Sequence, residues 1–175
     1  MRRISNPELQ RLSVGEFKKS KKIPFIVVLD NVRSMNNVGS VFRTADAFSA
    51  EAIYLCGITA CPPHREIHKT ALGSTDSVVW KYFHQTEEAL IELRNSGYHV
   101  MVIEQVEPSI KLNKFSPIPE KKYALVFGNE VMGVREELLQ YADGAIEIPQ
   151  TGTKHSLNIA VSAGIVLWEC FNKSK

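Results

Sequence analysis

The sequence has few cysteines, no long apolar run and no excess of charge of either sign. Three cysteines are an odd number, which argues against the disulfide framework of a secreted protein. No stretch approaches the roughly 18 apolar residues of a membrane-spanning helix, and the N-terminal MRRISNPELQRL has no apolar signal-peptide core. The net charge of +2 neither requires nor excludes a nucleic-acid partner. We therefore expect a cytoplasmic protein that does not enter a membrane.

Three common ligand-binding and catalytic motifs are also missing. The chain has no G-x-G-x-x-G dinucleotide fingerprint and no G-x-S-x-G nucleophile elbow. Gly152 is followed by Thr153, so the turn around it does not form the G-x-x-x-x-G-K-[ST] phosphate loop. These absences argue against a generic α/β nucleotide-binding enzyme.

Short apolar stretches alternate with helical patterns along the chain. Such alternation predicts an α/β fold, with a mostly parallel sheet and helices on both of its faces. The length of 175 residues favours one domain over 1–175, with a short N-terminal helical extension over 1–24 in which Asn6 caps a helix starting at Pro7. The predicted strands are 25–29, 52–56, 99–103, 124–127 and 145–148, with a less regular one at 78–82. A short helix is predicted over 135–142, and Thr86 is placed to cap another helix that Gly97 ends.

Polar clusters follow three of the predicted strands, over 30–43, 128–133 and 149–158. Ligands bind beyond the carboxyl ends of parallel strands, so these clusters are candidate site loops. In the first, Asn37 is placed to cap a helix and Gly39 allows a close approach of backbone or ligand. Arg43 could grip a phosphate there or form a surface pair with Asp46.

The last helical pattern, over 156–171, is apolar around almost its whole circumference. A helix of this kind is buried on all sides, which in a small chain is most easily achieved against a second subunit. We therefore predict a homodimer with this helix near the interface. Ser156 is placed to cap the helix, and Asn158 follows as a polar amide that needs a hydrogen-bond partner.

One spacing resembles a zinc site. Cys56, Cys61, His64 and His68 follow the pattern C-x4-C-x2-H-x3-H, and zinc sites use these ligand types. The alternative is that Cys56 is a buried free thiol at a strand end and that the two histidines share a helix face. We favour this alternative and assign no metal site.

Taken together, the three clusters resemble the three motifs of the SpoU (TrmH-type) branch of the SPOUT methyltransferases. In order along the chain they match N-x-G-x-x-x-R-T-A, F-G-x-E-x-x-G and I-P-x-x-G-x-x-x-S-L-N. The matching positions are Asn37, Gly39, Arg43, Thr44, Ala45, Gly128, Glu130, Gly133, Ile148, Pro149, Gly152, Ser156, Leu157 and Asn158.

This resemblance implies a 2'-O-ribose methyltransferase that acts on tRNA or rRNA and uses S-adenosyl-L-methionine. It also implies a homodimer and a C-terminal trefoil knot, a rare exception among protein folds. The motifs do not separate tRNA from rRNA, nor do they give the nucleotide position. The alternative within the fold is a catalytically silent RNA-binding protein, against which the intact polar positions argue.

The resemblance also assigns residues to roles. The donor pocket falls on Gly128, Ile148 and Leu157, and the polar catalytic positions are those matched by Arg43, Asn37, Glu130, Ser156 and Asn158. Arg43 would act on the target ribose and its phosphate, either as the base proposed for the family or as a stabiliser of the developing alkoxide. The second role is physically easier, because a guanidinium stays protonated in proteins.

No long extension flanks the matched region, so we expect the RNA to contact the dimer surface itself. Exposed basic residues are the candidates for phosphate contact, and affinity should then fall steeply with salt. They are Arg2, Arg3, Arg11, Lys18, Lys19, Lys21, Lys22, Arg65 and Lys69.

Overall fold

The apolar stretches form one parallel sheet of seven strands. The computed structural model describes residues 1–5 and 7–174, and the predicted cap Asn6 lies outside them. Every strand pair is parallel, and the strand order is β3-β2-β1-β6-β4-β7-β5. The bounds are β1 (Ile23–Asp30), β2 (Ala50–Cys56), β3 (Trp80–Phe83), β4 (Tyr98–Ile103), β5 (Ile110–Lys111), β6 (Lys122–Phe127) and β7 (Gly144–Glu147).

Helices cover both faces of this sheet, as predicted. Along β1, Val27 and Leu29 join one core, and Ile26 and Val28 join a second core on the opposite face. The helices are α1 (Val14–Lys19), α2 (Met35–Ala47), α3 (Arg65–Ala71), α4 (Ser74–Ser77), α5 (Thr86–Asn95) and α6 (Ile159–Lys173). Buried residues of α2, α3 and α6 belong to the first core and those of α5 to the second.

Every predicted strand is confirmed, with ends shifted by at most two residues. No sequence pattern predicts β5, because Ile110–Lys111 is only two residues long and both residues are exposed. The short helix predicted over 135–142 is instead a 3-10 turn, Glu136–Tyr141. Residues 1–24 contain α1 and a second 3-10 turn, Pro7–Leu9, before the sheet begins at Ile23.

Three predicted caps differ from the structure. The cap of α2 is Ser34, whose hydroxyl accepts from the Asn37 amide at 3.3 Å, so Asn37 lies inside the first turn. The cap of α6 is Asn158, because its side chain reaches two free amides, whereas Ser156 lies in the irregular segment before the helix. Thr86 is the first residue of α5, and its hydroxyl donates to Asp30 instead of capping.

Gly39 allows α2 and α3 to pack closely. A Cβ atom at Gly39 would lie 2.1 Å from Thr70 Oγ1 and 2.3 Å from the Ile67 carbonyl oxygen. The sequence predicts that a backbone or a ligand comes close to Gly39, and in the structure it is the backbone of the neighbouring helix. This contact holds α2, which carries both Asn37 and Arg43, close against α3.

Candidate active site

The carboxyl ends of β4, β6 and β7 border a cleft of about 630 Å³. The three predicted donor-pocket residues, Gly128, Ile148 and Leu157, all lie in its wall, although they come from two loops 20 or more residues apart in the chain. Ligands bind outside the carboxyl ends of parallel strands, so the cleft is in the expected place. Its wall also contains Glu130 and Ser156.

The turn after β6 forms part of the cleft wall. The amide of Asn129 donates to the Gly133 carbonyl and the amide of Gly133 donates to the Asn129 carbonyl, both at 2.9 Å. A Cβ atom at Gly128 would lie 2.0 Å from the Gly133 carbonyl carbon, so only glycine fits there. The turn thus depends on the absence of a side chain at Gly128, whose place is taken by the main chain of Gly133 and Val134.

Glu130 joins this turn to the start of α2. One carboxylate oxygen accepts from the Arg33 amide at 3.0 Å, and the other accepts from the Ser34 amide at 3.0 Å and from Asn37 Nδ2 at 3.1 Å. A carboxylate is favoured at this point, because free amides and the positive end of the helix dipole meet there. The second motif is thereby held against the first.

Asn158 joins the third motif to the first. Its Nδ2 donates to Asn37 Oδ1 at 3.2 Å, while its Oδ1 accepts from the Ala160 amide at 2.9 Å and the Val161 amide at 3.4 Å. The partner that the amide of Asn158 requires is therefore Asn37. Glu130, Asn37 and Asn158 form one continuous polar chain across three loops.

The contacts of Glu130 lower the pKa of its carboxyl group. Burial opposes the charged form, but the hydrogen bonds from the Arg33 and Ser34 amides and from Asn37 outweigh it. Because the pKa of Glu130 is lower in the folded state, its carboxylate stabilises the fold at pH values above the ordinary pKa near 4.5. This stabilisation is lost as the pH falls through the folded-state pKa.

We therefore predict that Glu130→Gln lowers the free energy of unfolding by about 1 kcal/mol near neutral pH, since Glu130 is largely exposed. The difference between variant and wild type should shrink below about pH 4.5. Urea unfolding of both proteins at a series of pH values measures this difference in the free energy of unfolding. Glu120→Gln is the matched control, because the side chain of Glu120 makes no hydrogen bond to any residue the structure describes. A difference independent of pH would contradict the role of the charge.

Arg43 and Ser156 are not part of this polar chain. Arg43 is exposed on α2, six residues or about 9 Å along the helix from Asn37, and it is not in the cleft wall. The alternative pairing with Asp46 is not formed, because an oxygen of Asp46 accepts from the Ser77 hydroxyl. Within residues 1–5 and 7–174, Arg43 has neither a side-chain hydrogen bond nor an ion pair. Its guanidinium is therefore free to take an external anion.

Sequence reasoning missed the fourth polar loop of the cleft, which follows β4. Glu104 and Gln105 both lie in the cleft wall. Glu104 Oε2 accepts from the Val134 amide at 3.0 Å, and Gln105 Nε2 donates to the His155 carbonyl at 2.5 Å. Their position in the sequence could have indicated this loop, since both residues come directly after an apolar strand and so lie at the same edge of the sheet.

A buried ion pair connects the loops that follow β1 and β6. The carboxylate of Asp30 is fully buried and accepts from Arg135 at 3.2 Å and from Thr86 at 2.5 Å. The next residue, Asn31, accepts from Asn129 Nδ2 at 2.7 Å through its carbonyl oxygen. The pair thus anchors the start of the first loop and the end of the second in one place.

The cysteines and histidines of the zinc-like pattern have other roles in the structure. Cys56 is buried in the second core, and burial raises the pKa of its thiol to about 12. His64 caps α3, where its Nδ1 accepts from the Glu66 amide at 3.2 Å. Over the described ranges, no three His, Cys, Asp or Glu side chains are grouped as metal ligands. Nor does any helix in those ranges have the length and apolarity needed to span a bilayer.

Comparison with known proteins places this geometry in a family. A relative from Borreliella burgdorferi, described as a tRNA/rRNA methyltransferase, is 30% identical over 86% of this chain and 65% of its own length. A tRNA (guanosine(18)-2'-O)-methyltransferase from Thermus thermophilus is 30% identical over 93% of this chain and 81% of its own. The chain thus spans just under two thirds of the first relative.

Solved structures agree on the fold. An AdoMet-bound rRNA methyltransferase from Sinorhizobium meliloti superposes with a TM-score of 0.80 at 30% identity, over 89% of this chain and 59% of that one. The SPOUT fold is thereby confirmed, and the C-terminal trefoil knot follows from it. The sequence model of the SpoU rRNA Methylase family matches residues 24–168, which include all three motifs. The chain belongs to the SpoU rRNA methylase family.

Proposed function

We propose that this protein transfers a methyl group from S-adenosyl-L-methionine to the 2'-hydroxyl of a ribose in tRNA or rRNA. The observation that carries the proposal is the polar chain from Glu130 through Asn37 to Asn158, which joins the glycine-turn cleft to the helix that carries Arg43. The cleft provides a place for the donor, and α2 provides a free cation for the RNA. Similarity to proteins described as a tRNA/rRNA methyltransferase and a tRNA (guanosine(18)-2'-O)-methyltransferase supports the same activity.

The cleft fits the donor by shape and by chemistry. Its wall includes the glycine turn after β6, whose small residues Gly128 and Gly133 leave no side chain between the main chain and an adenosyl group in the cleft. Ile148 and Leu157 supply apolar surface beside it. These three residues would hold S-adenosyl-L-methionine, which supplies an electrophilic methyl group on a sulfonium.

The remaining residues act on the RNA. Arg43 would bind the phosphate beside the target ribose and stabilise negative charge on the attacking oxygen, because a guanidinium is a poor base and a good anion partner. Asn37 and Glu130 would fix the start of α2 relative to the cleft. Ser156 and Asn158 would brace the third loop and the substrate. Holding both reactants in one orientation supplies much of the rate enhancement.

A homodimer is part of the proposal. One side of α6 is buried in the first core, but Val161, Ile165 and Trp168 at i, i+4 and i+7 form an apolar stripe that is exposed in the monomer. The exposed fractions are 51% for Val161, 38% for Ile165 and 51% for Trp168. Exposed stripes of this kind are typical of interfaces. The stripe begins next to the cleft, whose wall includes Leu157 and Ser162.

The dimer surface would also bind the RNA. Of the candidate basic residues, Arg2 pairs with Glu8, Lys69 pairs with Glu66, and Lys22 donates to the Phe17 carbonyl. The others are exposed and free to contact phosphates. We further propose that residues 1–175 act as one SPOUT domain in the cytoplasm, a compartment in which three free thiols stay reduced.

The direct test incubates the purified protein with methyl-labelled S-adenosylmethionine and total RNA from cells that lack this activity. We expect label in RNA, recovered after alkali in resistant dinucleotides, since a 2'-O-methyl group blocks cleavage of its linkage. Separate tRNA and rRNA fractions identify the substrate class. RNA binding without label transfer would support the catalytically silent alternative, and label in protein or small molecules would contradict the proposal.

A further inference from the structure

The cleft wall, as far as the structure describes it, contains two acidic residues, Glu104 and Glu130. Glu130 is held by the start of α2, because its two oxygens accept three hydrogen bonds from it. Glu104 has no such partner on α2. Its position at the end of β4, between β6 and β7 in the sheet, makes it the acidic group that remains available to a ligand in the cleft.

The carboxylate of Glu104 is held in place by the loops that frame the cleft. Oε1 accepts from the Gln105 amide at 2.8 Å, and Oε2 accepts from the Val134 amide at 3.0 Å. It also lies against Gly133, where a Cβ atom would be 2.3 Å from Oε2. Each carboxylate oxygen has two acceptor positions, so each retains one after these bonds.

We propose that Glu104 binds the ribose hydroxyls of the methyl donor. This inference rests on the proposed function, since it assumes an adenosyl ligand in the cleft. Two fixed acceptors side by side match a vicinal pair of hydroxyl donors, and carboxylates serve this purpose in other nucleoside-binding folds. The donor's ammonium group is the competing partner for a carboxylate, and the ligands used in the test below separate the hydroxyls from the ammonium group. Glu104 therefore recognises the nucleoside part of the donor.

The test is calorimetric titration with S-adenosylhomocysteine and its 2'-deoxy and 3'-deoxy analogues. In the wild type, we expect removal of either hydroxyl to weaken binding about tenfold or more, because each is bonded to a charged acceptor. Glu104→Gln should weaken binding of S-adenosylhomocysteine by about tenfold to a hundredfold. In that variant the penalty for the deoxy analogues should largely disappear, which a merely structural role of Glu104 would not produce.

Gln105→Ala is the matched control, since it removes the bond to the His155 carbonyl and keeps the carboxylate. It should lower all affinities by the same factor and leave the deoxy penalty intact. 5'-Methylthioadenosine, which has no amino-acid part, should show the same loss on Glu104→Gln. A loss confined to ligands with the ammonium group would overturn the ribose assignment.

Two further results would also overturn it. One is a wild type that binds the deoxy analogues as tightly as S-adenosylhomocysteine, a measurement that holds even if Glu104→Gln is unstable. The other is a full deoxy penalty in a folded Glu104→Gln protein. Failure of the proposed function looks different: the wild type would then bind none of these ligands and would transfer no methyl group to RNA.

Discussion

Replacement of Arg43 by alanine is expected to reduce methyl transfer to RNA by at least about a hundredfold, the typical loss for one electrostatic stabiliser of a transition state. Arg43 is exposed on α2 and bonds to no other part of the described chain, so nothing in the fold depends on it. Its substitution should leave the cleft unchanged. The loss should therefore appear in turnover, with S-adenosylhomocysteine binding unaltered.

Single-turnover methylation at saturating RNA, together with calorimetry of the donor site, separates these two quantities. Arg43→Lys should restore only a small part of the activity, because lysine keeps the charge but cannot form the planar two-point contact with a phosphate. Arg94→Ala is the matched control, since Arg94 lies on α5 across the sheet from α2 and pairs with Asp143. Near-normal turnover in Arg43→Ala would remove Arg43 from the reaction.

Much of the fold could be read from the sequence, because apolar strands carry a strong local signal. β1 and β6 are central and buried on both faces, so their runs of Val, Leu and Ile were found. β5 has two exposed residues and exists only because β7 offers it hydrogen bonds. Such an element has no local signal. For the 3-10 turn at Glu136–Tyr141 the sequence predicts the correct position but the wrong type of helix.

The candidate site was predictable as a set of loops but not as a set of contacts. The motifs named Asn37, Glu130 and Asn158, yet their mutual bonds depend on three loops meeting at one edge of the sheet. Choices between nearby capping residues were also missed, because Ser34 and Asn158 are caps of the same quality as the residues predicted. Glu104 lies outside the motifs, and only the structure places it in the cleft wall, where it accepts from the Val134 amide.

The last helix shows how composition and structure complement each other. Its apolar circumference predicted burial on all sides, but the chain itself buries only the side with Ala163, Val166 and Leu167. The opposite side is polar only toward its end, where Glu169 pairs with Lys173 at 2.7 Å. The remaining stripe of Val161, Ile165 and Trp168 stays exposed in one chain, and the proposed dimer rests on it.

We predict that the double substitution Val161→Glu and Ile165→Glu raises the dimer dissociation constant by at least about a hundredfold, because it places two charges in the centre of an apolar interface. The monomer should remain folded, since the buried side of α6 is unchanged and both residues are exposed in one chain. Sedimentation velocity and thermal melting measure these two effects. Trp168→Ala is a weaker second variant, because Trp168 also packs on Phe48 at 5.6 Å within the chain.

The matched control is Ile91→Glu, which makes the same kind of change at a residue 46% exposed on α5, away from α6. It should leave the dimer intact. Methylation should fall in parallel with the dimer fraction in the double variant, because the stripe starts one turn from Asn158 and so adjoins the cleft and its polar chain. A wild type that sediments as a monomer at micromolar concentration, or a monomeric variant with full activity, would show that one chain completes the site alone.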